Sequence, residues 1–107
     1  MLTIYNIRGT IVDWDSSREY SIRGFLTEEK ANLAIEQLNQ ERDEFKIQAS
    51  VIWDRNFQED ESMPNEEEVL KEIEFSRQNI MNVDKTFWKW DEENPFYFIE
   101  IIQVEDY

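Results

Sequence analysis

The closing segment of the chain, Phe96 to Val104, reads FYFIEIIQV and is nearly continuous apolar, with only Glu100 and Gln103 inside it. Aromatic and β-branched residues in a run this short favour a strand over a helix. A run that does not alternate with polar residues predicts a strand buried on both faces, or one at the centre of a sheet. The rest of the chain must therefore supply strands to pair with it and a layer to cover it.

Two segments near the start meet the first need. Leu2 to Asp15 is rich in β-branched and aromatic residues and predicts a strand, with Gly9 marking a bulge or bend inside it. Asp15, Ser16 and Ser17 suit a turn. Arg18 to Leu26 predicts a second strand with Tyr20, Ile22, Gly24 and Leu26 on one face and Arg23 and Phe25 on the other. Together they predict a β-hairpin.

The covering layer follows. Thr27 can cap a helix, and Glu28 and Glu29 stand where the positive end of the helix dipole favours acids, although Lys30 replaces the acid of a full capping box. Ala31, Ala34, Ile35, Leu38, Phe45, Ala49, Ile52 and Trp53 fit a 3.6-residue period and predict a helix from Glu28 to about Arg55. The polar stretch Asn39 to Glu44 leaves open a break near Asp43. After a linker at Gln58 to Asn65, Ser62 is the expected cap of a second helix, with Pro64 in its first turn. Val69, Leu70, Ile73, Phe75 and Ile80 form its approximate apolar stripe. Thr86 to Trp90 is a short aromatic segment that could add a strand near Phe87, and Asp91 to Pro95 is an acidic turn. The expected fold class is α+β, in the order β-β-α-α-β. It is one domain over residues 1–107: a small antiparallel sheet of three or four strands covered by helices, with an acidic helical insertion at about 58–82.

The chain has no Cys and no His, so thiolate chemistry, disulfides, the commonest general base and the commonest metal ligand are all missing. No cofactor is expected. No apolar run is long enough to span a bilayer, and Met1 to Tyr5 has no basic stretch leading into a long apolar one, so a cytoplasmic protein is expected. The net charge of −14 disfavours direct binding to nucleic acid or anionic membrane and favours basic protein surfaces. The charge is uneven: residues 1–58 hold 10 acids against 7 bases, and residues 59–107 hold 15 against 4.

Individual acids have bland readings beside functional ones. Asp13 and Asp15 could hold a divalent cation, but no companion motif accompanies them, and a solvated turn is favoured. Glu100, inside the closing strand, is best explained by an edge or a partly solvated location facing Lys or Arg. Glu66, Glu67 and Glu68 stabilise a helix start, yet with Glu59, Asp60, Glu61 and Glu72 they exceed what capping requires. Phe87, Trp88, Trp90, Phe96 and Tyr97 bracket Asp91, Glu92 and Glu93 and could form an anchor-and-steer surface, in which rings supply buried contact and acids supply orientation. The competing reading places both tryptophans in the core, where Trp53 is also expected.

Three stretches carry a family likeness: the strand-to-helix sequence Ser21 to Ala31 (SIRGFLTEEKA), the helix it opens, and the closing NPFYFIEIIQVE from Asn94. About a third of the chain resembles a broad group of small phage and prophage proteins. The resemblance implies an α+β sheet-and-helix domain from a mobile element and transfers no catalytic residue. The expected function is a non-enzymatic binding protein, a phage-type inhibitor of a basic, nucleic-acid-binding host protein such as an anti-CRISPR or other anti-defence protein. Its acidic surface would stand in for nucleic acid. The expected contact residues are Glu59, Asp60, Glu61, Glu66, Glu67, Glu68, Glu72, Trp88, Trp90, Asp91, Glu92 and Glu93. The alternatives are an assembly protein acting through homo-oligomerisation and, least favoured, a carboxylate-metal phosphoesterase.

Overall fold

A computed structural model describes residues 1–12, 16–57 and 65–105. The elements run β1 (Leu2–Val12), β2 (Ser17–Phe25), α1 (Glu28–Phe57), α2 (Glu66–Ile80) and β3 (Phe96–Val104). The fold is α+β with the expected element order. β1 is the central strand and pairs antiparallel with β2 on one side and β3 on the other. The closing strand is therefore an edge strand, not a central one. Its pattern alternates between residues facing α1 and residues facing away, and only the former meet a covering layer.

The hairpin register corrects two expectations. Between Ile7 and Arg8 the partner on β2 jumps from Arg23 to Ser21, so the bulge falls at Ile22 rather than at Gly9. The extra residue shifts the alternation, and Phe25 joins Tyr20 and Ile22 on the packed side while Leu26 is left exposed. Gly9 serves close approach instead. It lies directly opposite both Tyr20 and Tyr97, and a Cβ there would stand 2.4 Å from Cζ of Tyr20.

Those two tyrosines reach over Gly9 to one acceptor. The hydroxyls of Tyr20 and Tyr97 donate to Oδ2 of Asp84 at 2.7 and 2.8 Å, and the Thr86 amide donates to its Oδ1 at 2.9 Å. Asp84 is only 2% exposed, so these donors replace the water it has lost. Burial first, and then the adjacent Asp84 carboxylate, push both tyrosine hydroxyls far above their ordinary range.

Helix α1 starts as its cap predicts: the Lys30 amide donates to Oγ1 of Thr27 at 3.3 Å, and the Ala31 amide to its carbonyl at 3.2 Å. It runs unbroken for 30 residues. Its buried residues Ala31, Leu38, Phe45 and Ile52 recur every seventh position and keep one face toward the interior. The polar middle is partly paired, with Oε1 of Glu41 taking both of its donors and Oε2 taking none among the described residues. Glu41, though buried, accepts from Gln37 at 3.2 Å and Asn82 at 3.3 Å, and Arg42 donates to the Pro95 carbonyl at 2.9 Å.

Two apolar clusters line this helix. One joins Ile7 to Ala31 and Leu38, flanked by Phe25, Tyr97 and Ile99. The other joins Ile11, Phe45, Ala49 and Ile52 to Val69 and Ile73 of α2 and to Met81 and Trp88. α2 packs on α1 rather than on the sheet. Its cap is Asn65, whose side chain accepts from the Glu67 amide at 3.1 Å, not Ser62; Ser62 and Pro64 lie outside the described residues. Val69, Ile73 and Arg77 form its buried stripe, while Leu70 and Phe75 face outward. Residues 86–90 form no strand. Among the described residues, no helix is long and apolar enough to cross a membrane.

Two outcomes test the tyrosine arrangement. Gly9→Ala should cost roughly 1–3 kcal/mol, because the Tyr20 ring is held by Asp84 and cannot retreat; Tyr20→Ala in the same chain should recover part of the loss by thermal denaturation. Tyr20 and Tyr97 stay protonated in the folded chain above the pH of about 10 at which they would ionise once unfolded. Their contribution is therefore complete below that pH and is lost as pH rises past it. In an alkaline tyrosinate absorbance titration, two tyrosines should ionise only as the fold melts.

Candidate partner-binding groove

The loop between α2 and β3 lacks regular structure yet is fastened at several points. Met81, Asp84, Trp88, Glu93 and Pro95 are all buried. Glu93, 6% exposed, accepts from Arg18 of β2 at 3.4 Å and from the Lys89 amide at 3.3 Å. Arg18 also donates to the Phe87 carbonyl at 3.0 Å, and Lys46 of α1 donates to the Glu93 carbonyl at 3.2 Å. The acidic turn expected at Asp91 closes through Glu93 N to Lys89 O at 2.8 Å.

This fastening forms one wall of a groove of about 380 Å³. Trp53 of α1 forms one end, Leu70, Ile73 and Arg77 of α2 form a second side, and Phe87, Trp88 and Trp90 form the third. Trp53 and Trp90 stand 6.0 Å apart between ring centroids, and Trp53 also stacks on Phe57 at 4.3 Å. Glu66, Glu74 and Asp91 lie on the rim beside Lys89.

Arg77 is the device that closes the floor. It is 5% exposed, and its guanidinium lies 4.7 Å from the Phe45 ring centroid and 5.0 Å from those of Phe87 and Trp88. It donates to the carbonyls of Trp88 and Thr86 and pairs with Glu74 at 2.9 Å. A buried cation is costly unless its donors are met, and here carbonyls, a carboxylate and three ring faces meet them. The helical spacing from Val69 and Ile73 pointed to position 77, but a charged residue there gave no sign of being core.

The expected contact residues divide. Trp88 is 0% exposed and meets Phe45 edge-on at 5.4 Å, so it is core and unavailable to a partner. Glu93 is likewise withdrawn, because it holds the loop. Trp90 lines the groove, and Asp91 and Glu66 stand on its rim. Glu67 and Glu72 are exposed on α2, paired with Lys71 at 3.8 Å and with Arg55 respectively. Glu92 pairs with Lys89 at 3.4 Å. Glu66, Glu68 and Asp91 have no basic partner among the described residues. Glu59, Asp60 and Glu61, like Asp13 and Asp15, lie outside the described residues. Trp53, expected in the core, is partly buried and shared between core and groove. Phe87, expected in the aromatic anchor set, lines the groove, whereas Leu70 was expected on the apolar stripe of α2; neighbouring position 69 takes the buried place there, which turns Leu70 outward. Glu100 stands on an edge strand 3.7 Å from Arg8, as expected.

No protein-family model matches the chain, no curated protein matches its sequence, and no solved structure matches it. The likeness to phage and prophage proteins therefore rests on the quoted residues alone.

Removing Arg77 tests the floor. Arg77→Ala should lower stability by about 3 kcal/mol, since two buried carbonyls lose their donor and three rings lose a neighbour. Phe87→Ala, at an exposed rim position, should cost less than about 1 kcal/mol. Urea unfolding measures both.

Proposed function

We propose that this chain is a non-enzymatic binding protein whose aromatic groove and acidic rim hold a basic protein surface. The observation that carries this reading is the juxtaposition at the groove. Exposed Phe87, half-buried Trp53 and Trp90, and outward-facing Leu70 stand beside Glu66 and Asp91, which have no basic partner among the described residues. The rings offer contact area and faces on which a guanidinium or ammonium can sit. The carboxylates orient such a group and raise the rate of encounter. The chain's net charge of −14 acts in the same sense at longer range. In its sharper form the partner is a nucleic-acid-binding host protein, with carboxylates occupying positions that phosphates would take. That form rests on the phage resemblance and includes an anti-CRISPR or other anti-defence role.

A Lys- and Arg-rich peptide bearing one aromatic residue is a suitable probe, followed by tryptophan fluorescence at low and high salt. Binding should weaken about tenfold or more as salt rises, because the screening length shortens. Changing Glu66, Glu67, Glu68 and Glu72 to Lys should abolish it. Trp90→Ala should weaken it about tenfold without changing the salt response, because it removes contact area rather than charge. Unchanged affinity in the reversed variant, with a flat salt response, would overturn the reading.

A further inference from the structure

The groove has a direction along its length, and its two ends differ in charge. Glu66 and Arg77 both line it from α2, and about three helical turns, or about 16 Å, separate them along the axis. The loop that forms the facing wall runs the opposite way. Its start is held at Arg77, whose guanidinium lies 5.0 Å from the Phe87 and Trp88 ring centroids and donates to the Thr86 and Trp88 carbonyls. Its continuation brings Trp90 to 6.0 Å from Trp53 and carries Asp91 toward the Glu66 end. The pairing of Arg55 with Glu72 places the last turns of α1, and with them Trp53, beside the first half of α2. Charges nearer Arg77 are paired: Arg77 with Glu74, and Lys89 with Glu92. Those at the other end are not. Glu66 and Asp91 have no basic partner among the described residues, and the described residues include all 11 Lys and Arg of the chain. The complementary charge is therefore not supplied from within.

We propose that this acidic end is a seat for one arginine side chain of a partner protein. The seat presupposes the basic-surface role of the groove and adds which residue the groove takes and where. Three features favour a guanidinium. First, the two carboxylates come from different elements, a helix and a loop, and a planar fork of five N–H donors can serve both. Second, the same plane can lie on an indole face of Trp53 or Trp90 while its edge donates to the acids. A lysine ammonium has no flat face and holds its water more tightly. Third, the molecule already holds one of its own arginines in this way. Arg77 lies against the rings of Phe45, Phe87 and Trp88 with the Glu74 carboxylate at its edge. Trp53 and Trp90 with Glu66 and Asp91 repeat that combination without a cation of the chain. Arg77 itself does not repel the guest. Glu74 meets its charge, and about 16 Å of helix separates it from Glu66, beyond the screening length of about 8 Å at physiological salt. The uncharged stretch between, with Leu70, Ile73 and Phe87, is left for an apolar neighbour of the arginine.

Two peptides of equal charge, each with one Phe, test this by isothermal titration calorimetry at fixed salt. Their basic residues are all Arg in one and all Lys in the other. The Arg peptide should bind the full chain at least about tenfold tighter. Glu66→Gln combined with Asp91→Asn should cut that preference to about threefold or less, because the acceptors lose their charge. Glu36→Gln combined with Glu44→Gln removes the same number of charges from exposed positions on α1. It should weaken both peptides alike and leave the preference at about tenfold. All four positions are exposed, and circular dichroism and melting verify that the variants fold. Equal affinity for the two peptides would overturn the arginine seat and leave basic-surface binding intact. A preference for Arg that survives the loss of Glu66 and Asp91 would overturn the seat as well. Binding of neither peptide would overturn both the seat and the basic-surface role of the groove.

Discussion

A single buried carboxylate governs how the second half of this chain attaches to the first. Asp84 accepts the hydroxyls of Tyr20 from β2 and Tyr97 from β3, which flank Gly9 of the central strand. Only a residue without a side chain at position 9 leaves room for the Tyr20 ring. Hydrogen bonds to a charged acceptor are worth about 1.5–3 kcal/mol each, so this point outweighs most individual contacts in a small domain. From it the loop proceeds to Trp88, which fills the space beside Phe45, and to Glu93, which returns to β2 through Arg18. The wall of the aromatic groove thus depends on a carboxylate that does not itself line the groove.

Helix α1 is the second organising element. A 30-residue helix is about 45 Å long, longer than the sheet it covers is wide. Its first half packs on the strands, and its second half packs on α2 and Trp88, so the interior divides into two clusters strung along one axis. The radius of gyration, 17.4 Å, exceeds the roughly 13 Å of a compact chain of this length. At the junction the helix carries Glu41 and Arg42, both tied to groups outside the helix: Asn82 and the Pro95 carbonyl. A polar stretch that reads as a weak point in the helix is the place where the later loop is fastened to it.

Acids and exposed apolar residues share the helical layer, where Leu33, Ile47, Val51, Leu70 and Phe75 are all solvent-exposed. The exposed acids of α2 and Asp91 belong to the helical side, where the groove lies. The open sheet face carries Phe96, Phe98 and Val104 around an Arg whose charge is locally offset.

Local sequence determined the elements. β-Branched and aromatic runs define the three strands; Thr27 with its following acids starts α1; and the heptad of Ala31, Leu38, Phe45 and Ile52 keeps that helix continuous. The uneven charge and the lack of His and Cys were equally legible. Tertiary structure decided what local patterns do not encode. A one-residue bulge at Ile22 changed which side of β2 Phe25 occupies, because side-chain direction reverses with each residue of register. Arg77 and Asp84 became core because carbonyls, rings and hydroxyls distant in sequence converge to satisfy them. Trp88 went inside and Trp90 to the groove through the course of an irregular loop that no periodicity describes. The closing strand was read correctly as a strand, but burial on both faces or a central position, which its continuous apolar run predicted, is not what the structure has. Its place at the sheet edge, with Phe96 and Val104 exposed, followed from β1 taking the centre and pairing with both neighbours.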